Sequence, residues 1–94
     1  MLVMTRVRVP DGEGAAFRTG AEDLLELLAG MSGFVRGHLG RAVDESDLWV
    51  LSTEWDGVGA YRRALSSYDV KMTAPEALAH AVQEPSAYEV LASR

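Results

Sequence analysis

The eight residues Leu48-Trp49-Val50-Leu51-Ser52-Thr53-Glu54-Trp55 constrain this chain more than any other stretch. Read as a strand, they are apolar on both faces, with Trp49, Leu51 and Trp55 pointing one way and Leu48 and Val50 the other. Such a strand has to be covered twice, once from each side.

The neighbouring segments supply one cover. Leu2 to Val9 alternates, with Val3, Thr5, Val7 and Val9 on one face and Leu2, Met4, Arg6 and Arg8 on the other, and Pro10-Asp11-Gly12 ends it. The period then becomes helical. Phe17, Ala21, Leu24, Leu25, Leu28 and Met31 form a stripe, so a helix is expected from Gly14 to Ala29, stopped by Gly30. Phe34 to Val43 reads as a second strand, and Asp44-Glu45-Ser46-Asp47 as the turn that leads antiparallel into Leu48–Trp55. Asp56 is a residue type that caps a helix, and Gly57 to Ser66 carries Val58, Tyr61 and Leu65 on one stripe, which Tyr68 extends. A further helix is expected after Thr73-Ala74-Pro75-Glu76, where a capping-box spacing meets a proline suited to a first turn. Glu84-Pro85 breaks it, and Ala87 to Ala92 reads as the last strand.

The resulting order is βαββαβ with an extra helical segment in the second crossover, an α+β, ferredoxin-like arrangement forming one domain over residues 1–94. Right-handed crossovers put the helices on one side of the sheet. The other side then needs cover, and a second copy packed sheet to sheet closes a barrel about a two-fold axis. A homodimer is therefore expected, with Arg6 and Arg8 toward the dimer side, where carboxylates can pair with them.

Composition excludes several functions. The chain has no cysteine, which removes disulfides, thiolate metal sites and a cysteine nucleophile. A formal charge of −5 and a single lysine, Lys71, argue against nucleic acid. No apolar run reaches the roughly 20 residues that span a bilayer, and no basic segment followed by a hydrophobic stretch opens the chain, so a cytoplasmic protein without membrane association is expected. His38 and His80 have no second histidine or carboxylate at ligand spacing, so no metal site is expected. Gly57-Val58-Gly59 is too short for a dinucleotide loop, so no nucleotide cofactor is expected.

Ser32-Gly33-Phe34-Val35 at the opening of the second strand, with Glu54-Trp55-Asp56 at the end of the third, resembles the antibiotic biosynthesis monooxygenase family of small dimeric α+β-barrel proteins. The resemblance implies a cofactor-free oxidation of aromatic polyketide-type molecules, such as a hydroxyanthrone or hydroquinone, to quinones. It also implies a pocket between sheet and helices that holds an Asn, a strand-end Trp, a Tyr six residues after the Trp, and an Arg further on. Trp55 and Tyr61 match by residue and spacing; Leu51 stands at the Asn position, and the Arg position falls near Pro75. Haem-degrading relatives use an Asn, a Trp and a His at places held here by Thr5, Ala64 and the neighbourhood of Thr73, so haem degradation is not expected.

Tyr61 and Trp55 are thus the first catalytic candidates, Tyr61 as a hydrogen-bond donor to a substrate oxygen and Trp55 as an indole donor or stacking face. His38, next to Arg36 on its strand face together with Phe34, is a third candidate, as a neutral base. Thr5, Leu51, Tyr68 and Phe17 are expected to contact a small aromatic or apolar ligand. Two alternatives stand beside this. The chain is a non-catalytic dimer that binds such a ligand, or a structural dimer whose pocket is filled by Trp55, Tyr61 and Leu51.

Overall fold

The computed structural model describes residues 1–94. Its elements are β1 (Leu2–Arg8), α1 (Gly14–Ala29), β2 (Phe34–Arg41), β3 (Leu48–Trp55), α2 (Val58–Ser66), α3 (Tyr68–Ala77) and β4 (Ala87–Tyr88). The strands form one antiparallel sheet in the order β2-β3-β1-β4, which is the ferredoxin-like arrangement expected from the sequence. β1 and β3 run through its middle, paired from Leu2 opposite Glu54 to Arg8 opposite Leu48.

The alternation of β3 is complete. Trp49, Leu51, Thr53 and Trp55 are buried under the helices, while Leu48, Val50, Ser52 and Glu54 on the bare face are only partly covered. From β1, Val3 and Val7 join the covered face, and α1 lays Ala21, Leu24 and Leu28 on it. Burial of such side chains, at about 1.5–3 kcal/mol each, is what holds helices to sheet.

Four local expectations need correction. Asp56 does not cap α2; the N-cap is Gly57, in extended backbone, with no side-chain hydrogen bond. The last helix starts earlier than its proline suggests. Ser67 is its cap and its hydroxyl accepts the Val70 N–H at 3.3 Å, so Pro75 lies near the far end, where its missing N–H removes the i+4 donor to the Lys71 carbonyl. The terminal strand is Ala87–Tyr88, not Ala87 to Ala92. Its missing length lies upstream, where His80, Val82 and Ser86 exchange backbone hydrogen bonds with Arg8, Arg6 and Met4 along the edge of β1. Finally, β2 carries an irregularity between Phe34 and Arg36, which changes the face on which Phe34 lies. Phe34 meets Trp55 edge to face at 5.4 Å, whereas Arg36 is paired with Glu54 and His38 with Ser52, both bare-face residues. Phe34 and His38 therefore do not share a face.

Arg6 and Arg8 do lie on the bare face and do find carboxylates, all within this chain. Arg6 makes a two-pronged pair with Glu84, both contacts 2.7 Å, and Arg8 bonds Glu45 at 2.7 Å and Asp47 at 3.2 Å. The Glu84 carboxyl is held below its ordinary pKa by the hydrogen bond and charge of Arg6. No helix is long and apolar enough to cross a membrane.

Candidate functional site

Trp55 closes β3 at the corner where the chain turns into α2, and it is 1% exposed. Phe34 meets its ring at 5.4 Å and Tyr61, from the first turn of α2, at 5.8 Å. Its indole N–H donates to the Thr53 hydroxyl at 2.9 Å, so that donor is already used within the protein. α2 comes this close because residue 33 is glycine. Gly33 has a φ of 88°, and a Cβ there would lie 2.4 Å from the Ala60 Cβ of α2. The Gly33 carbonyl also accepts the Asp56 N–H at 2.8 Å, which fixes the corner.

Tyr61 is half-buried, and desolvation raises its hydroxyl pKa, so at neutral pH it is an O–H donor. Its side chain forms one wall of a small, surface-open pocket of about 50 Å³ between sheet and helices. Thr5, Leu51 and Thr53 contribute from the sheet, Leu65 and Val70 from α2 and α3, and Leu78 from the end of α3. Thr5, Thr53 and Tyr61 are the polar residues of that lining.

A second, open cleft of about 500 Å³ lies on the same face of the sheet at its other end. Val7, Val9 and Phe17 floor it, Ala16, Gly20 and Ala77 leave it wide, and Glu13, Asp23, Glu76 and His80 edge it. The two concavities abut. Thr5 lines one and Val7, next on the same face of β1, lines the other; Leu24 and Asp23 of α1, and Leu78 and Ala77 at the end of α3, divide in the same way. Leu78 packs against the core of both ends. On the bare face, Met4, Leu48 and Val50 line a third, shallow groove of about 420 Å³, bordered by Arg6, Glu84 and Tyr88.

The structure thus brings Tyr61, Thr5 and Leu51 to one cavity, with Trp55 packed behind Tyr61. Phe17 lines the neighbouring cleft and meets Trp49 edge-on at 5.3 Å. His38 is exposed on the bare face, across the sheet from Tyr61, and Tyr68 is 75% exposed at the start of α3. Thr53 escaped the sequence reading. Its signal was a hydroxyl two residues before Trp55, on the same face of β3 and among apolar neighbours.

Solved structures share this architecture. A variant of SnoaB, a cofactor-independent oxygenase from Streptomyces nogalater, is similar with a TM-score of 0.86 at 24% identity, over 98% of this chain and 93% of its own. A further structure of SnoaB gives a TM-score of 0.78 at 26% identity, over 98% and 96%. A conserved protein from Methanosarcina mazei gives 0.77 at 15% identity, over 92% and 84%. No curated protein matches the chain significantly. A family model described as antibiotic biosynthesis monooxygenase matches residues 1–84.

Proposed function

The chain belongs to the antibiotic biosynthesis monooxygenase family, whose model covers residues 1–84, and on that premise we propose that it is a cofactor-independent monooxygenase. Its substrate is an electron-rich aromatic phenol of the hydroxyanthrone or hydroquinone class. The likeness to SnoaB, a cofactor-independent oxygenase, at 26% identity supports the reaction class. The observation that carries the assignment is Tyr61, a protonated hydroxyl on the wall of an otherwise mostly apolar cavity, braced from behind by Trp55.

The chemistry asks little of the protein. An ionised hydroxyanthrone gives one electron to dioxygen, the two radicals join as a peroxide at the methylene carbon, and loss of water leaves a carbonyl. One oxygen atom ends in the quinone and the other in water, so the substrate is the only reductant. Tyr61 holds the substrate oxygen by donating a hydrogen bond, which stabilises the anion, and the apolar walls exclude water.

A cavity of about 50 Å³ holds a water molecule or two, whereas ligand sites start at roughly 300 Å³. Leu78 lines this pocket and packs against the core at both ends, so we propose that it is the side chain that moves to join the pocket to the 500 Å³ cleft, where the rings of the substrate lie while its reacting end reaches Tyr61. Leu78→Ala is expected to lower KM, and Leu78→Trp to raise it. The partner is a second copy of the chain, seated on the bare face over Met4, Leu48 and Val50. A homodimer by light scattering at micromolar concentration is the expected result; a stable monomer contradicts it.

The small volume of this pocket favours a second reading, a non-catalytic dimer in which Tyr61 belongs to the core. Oxygen uptake with the hydroxyanthrone dithranol separates the two. Catalysed uptake that persists in EDTA supports the oxygenase, and uptake no faster than the uncatalysed background supports the second reading.

A further inference from the structure

Thr53 is the single polar residue among the fully buried side chains, 3% exposed in the middle of β3. Valine has the same shape and suits a covered strand position as well, so the hydroxyl needs a reason. Half of that reason is visible: its oxygen accepts the Trp55 indole N–H at 2.9 Å. The other half is not met within the chain, because the Thr53 hydroxyl accepts this bond and donates none. Thr53 lines the same cavity as Tyr61, and an O–H that accepts a hydrogen bond is polarised into a better donor. Thr53 of β3 and Tyr61 of α2 thus line the same small space, with Thr5 of β1 beside them.

We propose that Thr53, primed by Trp55, is a second hydrogen-bond donor to the substrate's phenolic oxygen, which it holds jointly with Tyr61. The inference rests on the function proposed above and goes further in naming what selects the substrate, an ionisable oxygen that accepts two hydroxyl donors at once. Trp55 then acts as a positioning residue. Its N–H fixes the rotamer of Thr53 and directs the hydroxyl proton toward the cavity.

The test compares wild type with Thr53→Val, Thr53→Ser and Trp55→Phe, using dithranol for turnover and its dihydroxyanthraquinone product for binding. The visible spectrum of the bound quinone reports ionisation of its phenol. Two donors favour the bound anion, so the phenol ionises at lower pH on wild type and on Thr53→Ser than on Thr53→Val. Thr53→Val should weaken anion binding and slow turnover by about tenfold or more, the usual worth of a hydrogen bond to a charged group. Thr53→Ser should restore both, and Trp55→Phe should fall between. A merely structural Thr53 would change the melting temperature and leave the pH of ionisation where it is. If wild type turns over dithranol and Thr53→Val matches it in rate and spectrum, the second donor is refuted while the oxygenase stands. If wild type neither binds nor oxidises these probes, both fail together.

Discussion

Trp49 and Trp55 lie on the same face of the same strand, yet the structure treats them differently. Trp55 is 1% exposed, hydrogen-bonded through its N–H to Thr53, and enclosed by Phe34 and Tyr61. Trp49 is 8% exposed, meets Phe17 edge-on, carries the Arg41 guanidinium 5.2 Å from its ring centre, and has no partner in the chain for its N–H. Both rings point to the covered face, so the difference comes from what lies above them. Over Trp55, Gly33 lets α2 sink onto the corner. Trp49 lies against Phe17, which also floors the open cleft, and it borders a recess of about 260 Å³ with Arg18, Glu22 and Arg41. One end holds a small pocket beside a fully enclosed ring, the other a wide cleft.

Truncating the two rings should show this most strongly. Trp55→Ala is expected to cost about 3–5 kcal/mol in urea unfolding, the usual cost of emptying a closed core site. Trp49→Ala should cost clearly less, because its surroundings already open to water. Equal losses would break the comparison.

Two glycines sharpen it. Gly33→Ala places a methyl against Ala60 in left-handed backbone and should destabilise by about 1–3 kcal/mol. Gly20→Ala, in the middle of α1 at the open end with nothing within 4 Å of the new Cβ, should stabilise by about 0.5–1 kcal/mol. Opposite signs in paired melting curves are the expected outcome.

The pH dependence follows with smaller effects. Burial raises the folded-state pKa of Tyr61, so folding keeps its proton bound where the unfolded chain has lost it. That contribution is complete below the unfolded value near 10 and is lost as pH rises through the folded one; Tyr61→Phe should remove this alkaline limb. Glu84 shifts the other way. Arg6 lowers its folded pKa, so the pair stabilises above the unfolded carboxylate value and fades as pH falls through the folded one. Being exposed, it should give the smallest effect of the set, seen as a slightly shallower acid limb in Glu84→Gln.

The open and closed ends also differed in how readable they were. Hydrophobic periodicity sufficed for β1, α1 and β3, since burial alone fixes which of their residues face inward. It sufficed as well to bring Tyr61, Thr5 and Leu51 together, because strand alternation and a helical stripe meet at one corner. It misled where a single irregular residue resets the face. The irregularity in β2 sends Phe34 to Trp55 and His38 to the opposite side, and no periodicity shows that from within the strand. Pro75 drew the start of α3 too far along, although Ser67 with Asp69 already offered a cap and a first-turn acid. The partition of the covered face into pocket and cleft depends on how three helices settle on one sheet. That is a tertiary property, and so the position of Leu78 against both ends of the core was not legible.

The central claim is that oxidation takes place at the Trp55 end, with the hydroxyl of Tyr61 on the substrate oxygen. The most direct measurement is the rate of oxygen uptake with dithranol by wild type and Tyr61→Phe, at matched fold as judged by melting temperature. Loss of one donor to a developing oxyanion should lower the rate on the order of a hundredfold. Equal rates for the two proteins would contradict the claim and return Tyr61 to the core.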